Sequence, residues 1–275
     1  MNDLAGRPDG KVDGALDGRV ALVTGASRGI GAAIARRLAA SGATVAVTAR
    51  TVDQGDSPLE GTLGDTVATI TAAGGRAVAV PADLSKPEDR ERLVARARAE
   101  VGDIDILVNN AAVTFFTPVE SFAPRKMDLM LAVQVEAPLH LAQLVLPRMR
   151  ERGTGWILNI SSVAARHPKL PPVRAGGGTV YGMCKAALER FTTGLAAEVY
   201  ADGIAVNSLA PKDVVPTPGT LFHHLTTMDD PRAEQPEVMA EAALALCRGP
   251  VTNPDGSLGL TGRVVYSQDL LAELG

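Results

Sequence analysis

Cysteine and aromatic residues are scarce in this chain of 275 residues, which has two cysteines, Cys184 and Cys247, and 3% aromatics. The cysteines lack the spacing of metal ligands, so no thiolate-built metal site is expected. Basic blocks are missing too. With a net charge of -4 and no cluster of Lys and Arg, the chain has no electrostatic footprint for nucleic acid or an anionic membrane surface. No unbroken apolar run approaches the roughly 20 residues that cross a bilayer. The opening "MNDLAGRPDGKVDGALDG" has no apolar signal core. These absences point to a cytoplasmic protein with neither a nucleic-acid nor a membrane partner. Internal repeats and dividing linkers are also lacking, so one domain over residues 18–275 is expected, preceded by a flexible tail, 1–17, rich in Gly and Asp.

What is present is alternation. Short β-branched runs at Val20–Val23, Thr44–Thr48, Ala77–Val80, Ile104–Val108, Trp156–Ile160, Ile204–Val206 and Arg263–Tyr266 are separated by stretches of helical pattern. Alternating strands and helices predict a doubly wound α/β fold of the Rossmann type, a seven-stranded, mostly parallel sheet with helices on both faces. In the first helix Ile34 and Leu38 share a face while Arg36 and Arg37 point away, and "SGA" at 41–43 supplies a stop glycine.

Between the first strand and that helix stands "TGASRGIG", Thr24–Gly31. A glycine-rich turn there lets backbone N–H groups approach a pyrophosphate, and the helix N-terminus adds its dipole. The same turn can also serve only to pack strand on helix. Further on, "YGMCK" sets Tyr181 and Lys185 one helical turn apart, so a phenol and an ammonium can share one space. "DILVNNAA" at 105–112 and "GWILNISS" at 155–162 read as buried strands ending in small polar residues, and strand ends of this kind form the ligand crevice of an open parallel sheet.

Taken together and in order, these segments resemble the short-chain dehydrogenase/reductase family from about Gly18 to about Gln268. "TGASRGIG" is similar to the family's cofactor turn, "NNAA" to its Asn-Asn-Ala-Gly segment with Ala112 for the glycine, "NISS" to the strand bearing its serine, and "YGMCK" to its Tyr-x-x-x-Lys pair. The resemblance implies that Ser162 binds a substrate oxygen, Tyr181 exchanges the proton, and Lys185 holds the nicotinamide ribose and supports the phenolate. It assigns Gly25, Ser27, Arg28, Gly29, Ile30, Gly31, Asn110, Ala111 and Ala112 to cofactor binding, Asp83 and Leu84 to the adenine, and Val214 and Thr217 to the nicotinamide end. It also implies a homotetramer or homodimer built on the helices around 125–152 and 179–201 and the last strand.

The chemistry accords with these roles. Hydride transfer to a carbonyl leaves alkoxide charge on oxygen, which a hydroxyl and a proton donor stabilise. A tyrosine working near neutrality needs its pKa shifted by roughly 3 units, about 4 kcal/mol, and a neighbouring Lys185 pushes that way. Where an acid would hold the ribose hydroxyls of NAD, the second strand ends Ala49, Arg50, Thr51. Arg28 and Arg50 are therefore expected to clamp a 2′-phosphate, making NADP(H) the cofactor.

Three departures stand out. Gln134 replaces an asparagine that, by the resemblance, helps join Lys185 to a proton path. Lys212 replaces a glycine. A long Pro- and Gly-rich connection, 163–180, brings Arg166, His167, Lys169 and Arg174 toward the site's mouth, either as solvated residues or as readers of an anionic substrate. The insertion after Arg50, 51–67, reads as surface ornament or subunit contact. His223 and His224 read as lid residues within 212–235, Cys184 as core, and no metal is expected. The expected function is hydride transfer between NADP(H) and an alcohol/carbonyl substrate; the rival is a catalytically weak NADP(H)-binding sensor or scaffold.

Overall fold

The structure, a computed structural model, describes residues 14–170, 177–253 and 255–275. Strands β1 (Val20–Thr24), β2 (Thr44–Thr48), β3 (Arg76–Ala79), β4 (Ile106–Asn109), β5 (Gly155–Ile160), β6 (Ile204–Ala210) and β7 (Val264–Tyr266) form one sheet in the order β3-β2-β1-β4-β5-β6-β7. Every neighbouring pair is parallel. The helices are α1 (Gly29–Ala40), α2 (Leu63–Ala72), α3 (Pro87–Val101), α4 (Pro124–Leu131), α5 (Ala137–Arg152), α6 (Thr179–Val199), α7 (Pro218–Phe222), α8 (Pro236–Arg248) and α9 (Ser267–Leu274).

The central strands are apolar on both faces because both are covered. Ala21, Val23, Val45, Val47, Ile106 and Val108 point to one core with α1, α2, α8 and α9, where Ile34 and Leu38 are fully enclosed as their spacing predicts. The alternate residues Leu22, Ala46, Leu107, Ile157 and Val206 point to a second core with α3, α5 and α6. This two-residue alternation is the pleat itself, and it fixes register, since a slip by one residue would exchange the two cores. Proline opens α3, α4, α7 and α8, where its missing N–H costs nothing.

Some boundaries move. β6 runs four residues beyond the β-branched run Ile204–Val206 because its polar residues find partners: Asn207 accepts from Arg263 N–H (3.1 Å) and donates to Leu260 C=O (2.7 Å). The expected tail does not reach residue 17, since Leu16 is 2% exposed in the first core and its N–H donates to Ser41 C=O. α4, a π-helical turn (Ala132–Glu136) and α5 form one 29-residue helix, apolar enough by length and composition to cross a membrane. Polar residues interrupt it, so a scan for unbroken apolar runs does not register it. Half of its apolar window is buried, and Leu141, Val145 and Met149 are fully enclosed.

The strand order reverses between β1 and β4, whose C-terminal ends are stitched together. Thr24 Oγ1 donates to Val108 C=O (3.2 Å) and accepts from the N–H groups of Asn110 (2.9 Å) and Ala111 (3.0 Å). Asn110 Nδ2 returns two bonds, to the carbonyls of Thr24 (2.8 Å) and Gly25 (3.1 Å). Thr24→Val keeps the shape and removes the hydroxyl, leaving two N–H groups without their acceptor. A loss of about 2–4 kcal/mol is expected, read as a lower urea midpoint at unchanged slope.

Candidate active site

A cavity of about 460 Å³ opens at the C-terminal ends of the strands, across this reversal. This is where a doubly wound sheet offers a crevice. The residues expected to be catalytic or to bind the cofactor all line it: Gly25, Ser27, Arg28, Gly29, Ile30 and Gly31 from the glycine turn, Arg50 and Thr51 after β2, Asp83 and Leu84 after β3, Asn110, Ala111 and Ala112 after β4, Ser162 after β5, Tyr181 and Lys185 from α6, and Val214 and Thr217 after β6. Gln134, Arg166, His167 and Lys169 do not line it. Arg174 lies outside the described residues.

The turn needs glycine for reasons inside the protein. A Cβ on Gly31 would stand 2.3 Å from Asn110 Nδ2 and 2.4 Å from Gly25 O; one on Gly25, at φ +64°, would stand 2.8 Å from Ala111 Cα. The glycines thus let the β1 and β4 ends close on each other, rather than only clearing space for a phosphate as expected above. Arg28 is the N-cap of α1 without a side-chain cap bond, and the first turn carries no acid. The free N–H groups of α1 therefore open onto the cavity as an anion site.

At the β2 end, Arg28 donates to Ser57 Oγ (3.0 Å), Thr51 Oγ1 (3.0 Å) and Gly61 C=O (2.7 Å), while its buried Nε has no partner. Burial pulls its pKa below the ordinary value. The insertion after Arg50 is therefore no ornament: Thr51, Ser57 and Leu59 form cavity wall, and the first two hold Arg28 in place. Sequence reasoning missed Ser57 and Leu59 because the insertion carries no periodicity. Arg50 is exposed. Burial works against ionising Asp83, but hydrogen bonds from Ser85 and the charge of Arg50 keep its carboxyl below the usual value.

At the other end, Lys185 is 2% exposed, its Nζ donates to Ile160 C=O (2.8 Å) and lies 5.8 Å from the Tyr181 ring centre. Burial lowers the ammonium to about 8. Burial also raises the Tyr181 phenol above its ordinary value, and a hydrogen bond with Ser162 offsets this only in part. The expected lowering of Tyr181 is thus reversed in this structure, because removing the phenolate from water outweighs its polar neighbours. Ser162 Oγ also accepts from Ala164 N–H (3.2 Å).

Gln134, in the π-helical turn, is 1% exposed; Nε2 donates to Val113 C=O (2.9 Å) and Oε1 is buried without a partner. Arg166 turns away from the mouth, its guanidinium 3.9 Å over the Tyr266 ring with Nε bonded to the phenol, while His167 and Lys169 are exposed. The described members of the basic connection therefore face solvent or β7. Lys212 pairs with Asp269 at the surface. Its N–H donates to Glu234 Oε2 (3.0 Å), and Glu234 N–H donates to Val214 C=O (3.1 Å), so these bonds close the neck of the segment 212–234. Glu234, 2% exposed, also accepts from Ser267 and Gln268 of α9. Thr217 caps α7 and sits against the glycine turn, where a Cβ on Gly29 would meet its Cγ2 at 2.9 Å.

An aromatic row, also missed from sequence, completes this end. Phe116 lies edge-on to Tyr181 (5.9 Å between centres) and to His223 (5.4 Å), and His223 to Phe222 (5.3 Å). Cys184 is buried beside Met130 and Val180, as expected. Among the described residues no cluster could hold a metal.

Fold and cavity define a doubly wound parallel α/β protein with a Ser, Tyr and Lys cluster at one end of its crevice. The family profile described as short chain dehydrogenase matches residues 19–221. Dehydrogenase/reductase SDR family member 4 of Sus scrofa is 40% identical over 222 residues, covering 80% of this chain and 72% of the relative. Short-chain reductase protein NovJ of Streptomyces niveus is 37% identical over 241 residues, 86% and 82% of the two chains. A metagenomic short-chain oxidoreductase crystallised in complex with NADP superposes with a TM-score of 0.72 at 33% identity, covering 92% of this chain and 98% of its own. The chain belongs to the short-chain dehydrogenase/reductase family, a family of oxidoreductases.

Lys185 supplies a stability test. A fall from 10.5 to about 8 means that burying the ammonium costs about 3 kcal/mol. The unfolded chain keeps this proton up to about pH 10.5 and the folded chain only up to about 8. The cost is therefore full below pH 8 and fades as pH rises from 8 to 10.5. Lys185→Met removes it while losing a hydrogen bond of about 1 kcal/mol. The variant is expected to be about 2 kcal/mol more stable at pH 7 in chemical unfolding, with the gain shrinking over that window.

Proposed function

We propose that the protein is an NADP(H)-dependent oxidoreductase acting on an alcohol/carbonyl pair, with Ser162, Tyr181 and Lys185 as its catalytic residues. The observation that carries this reading is the shared cavity: an uncapped helix N-terminus and two arginines at one end, and the Ser162, Tyr181 and Lys185 cluster at the other. The β2 end suits a 2′-phosphate. Ala49 stands where an acid would repel it, Arg28 hydrogen-bonds only to neutral groups, and Arg50 is exposed beside it. The similar metagenomic oxidoreductase holds NADP, which supports the choice.

Bound there, the nicotinamide supplies or accepts a hydride. The rest is work for the chain. Ser162 holds the substrate oxygen, and Tyr181 gives it a proton as the carbonyl carbon gains the hydride. A phenol above its ordinary pKa stays protonated near neutrality, which favours reduction, since the alkoxide forming on the substrate is a far stronger base. Lys185, mostly charged at pH 7, steadies the phenolate until solvent reprotonates it. Assembly as a homodimer or homotetramer belongs to the same proposal and is supported by exposed Met127, Leu139 and Met183 on α4, α5 and α6.

A second reading, a nucleotide-binding protein without turnover, draws on Gln134, whose Nε2 is spent on Val113 C=O and whose buried Oε1 has no partner that would continue a proton path. Turnover of a carbonyl substrate by the unaltered protein decides between them, and Tyr181→Phe tests the mechanism. The substitution is expected to lower kcat at least a hundredfold while NADPH affinity stays within about twofold, measured by nucleotide absorbance and calorimetry. Unchanged turnover on a confirmed substrate overturns the mechanism. NADPH is expected to bind at least about tenfold more tightly than NADH, and Arg50→Asp to erase that preference. Equal affinities in the unaltered protein overturn the cofactor choice.

A further inference from the structure

The two ends of the cavity differ in charge. Among the described lining residues the charged ones are Arg28, Arg50, Asp83, Lys185 and Asp213. The first three belong to the β1, β2 and β3 ends. On the Tyr181 side only Lys185 and Asp213 remain. The Lys185 ammonium is buried and donates to Ile160 C=O, and Asp213 is an exposed carboxylate at the root of the segment over the site. A substrate anion on this side would meet Asp213, while the described cations whose charge reaches Asp213 are engaged elsewhere, Lys212 with Asp269 and Arg232 with Asp230; Arg166 is stacked on Tyr266, and His167 and Lys169 are not among the lining residues.

What does line this side is flat and apolar. Phe116 presents a ring that runs from the Tyr181 phenol to His223, with Val163, Val214 and Leu225 around it. Phe116 is held from behind, since the backbone of Gly177 at the start of α6 lies so close that a Cβ there would stand 2.6 Å from Phe116 C. Edge-to-face rows of this kind accept a further ring readily.

Resting on the oxidoreductase reading above, we infer that the substrate is an uncharged carbonyl compound bearing an aromatic or similarly flat apolar group. Its carbonyl is directed to Ser162 and Tyr181, and its flat group lies along Phe116 and His223. Phe116 and Asp213 are then the specificity residues, one selecting the ring and the other rejecting an anion.

Three ketones test this with NADPH: acetophenone, 4-acetylbenzoate, which adds one carboxylate to the same ring, and butanone, which lacks the ring. Acetophenone is expected to exceed each of the others by about tenfold or more in kcat/KM. Phe116→Ala should raise the KM for acetophenone about tenfold and collapse its advantage over butanone, with Phe116→Leu intermediate. Asp213→Lys should narrow the gap to 4-acetylbenzoate. The ratio between ketones cancels any general damage to Tyr181. Equal or better use of 4-acetylbenzoate, or an unchanged acetophenone to butanone ratio in Phe116→Ala, overturns the inference and leaves the oxidoreductase reading intact. Ligand-observed NMR with acetophenone separates the two ideas. Ring contact that Phe116→Ala abolishes, without NADPH consumption by any ketone, supports the pocket and defeats the reaction; neither binding nor turnover of acetophenone overturns the inference.

Discussion

The closure of the β1 and β4 ends on each other is the constraint on which the site depends. Strands that lead in opposite directions across a sheet leave a gap, and here the gap is drawn tight by Thr24 and Asn110, which exchange bonds with each other's backbone. The closure is possible only because Gly25 and Gly31 have no side chain in the space that Asn110 and the crossing chain occupy. Two consequences follow from one contact. α1 begins with its amide groups aimed into the crevice, and the floor between the two halves of the cavity becomes rigid.

On either side of that floor the protein builds opposite environments. Toward β2 and β3 it gathers Arg28 and Arg50, and neutral partners fix Arg28 in position with its charge unspent. Toward β5 and β6 the one cation among the described lining residues, Lys185, is buried against a backbone carbonyl, and the wall is lined with rings. In the proposed reaction, binding strength and orientation are thus concentrated at one end, and proton chemistry in a drier, less polar space at the other. Low polarity there has a cost, visible in a lysine that is harder to charge and a tyrosine that is harder to ionise.

The sheet was legible because both faces of its strands are covered, which writes them as unbroken β-branched runs. The runs by themselves stop short where polarity intrudes: Asn207 and Ser208 lie beyond the β-branched run Ile204–Val206, and the 260–263 backbone satisfies Asn207 within the strand. The glycine turn and the Tyr181–Lys185 spacing were legible because each is a local pattern with a mechanical reason. Ser57, Leu59 and Phe116 were not. They lie in connections without period, and their importance arises from contacts with residues far away in the chain. The same holds for Arg166, whose partner Tyr266 is 100 residues distant, and for Leu16, a lone apolar residue in a polar stretch that becomes core by docking beside Ser41.

The neck of the segment over the site has a consequence for how such a protein can be altered. Lys212 and Val214 on one limb meet Glu234 on the other, and Glu234 is anchored to α9. The chain between them leaves and rejoins the body at nearly one point, and its first limb is tied down by Val215 in the core, Thr217 against the glycine turn and His223 on Phe116, so only the stretch beyond His223 is mechanically uncoupled from the strands. That geometry makes the stretch beyond His223 a replaceable cassette: another covering loop can be spliced in there, retargeting the pocket, while the sheet, the glycine turn and the residues proposed to transfer the proton are kept as a fixed chassis.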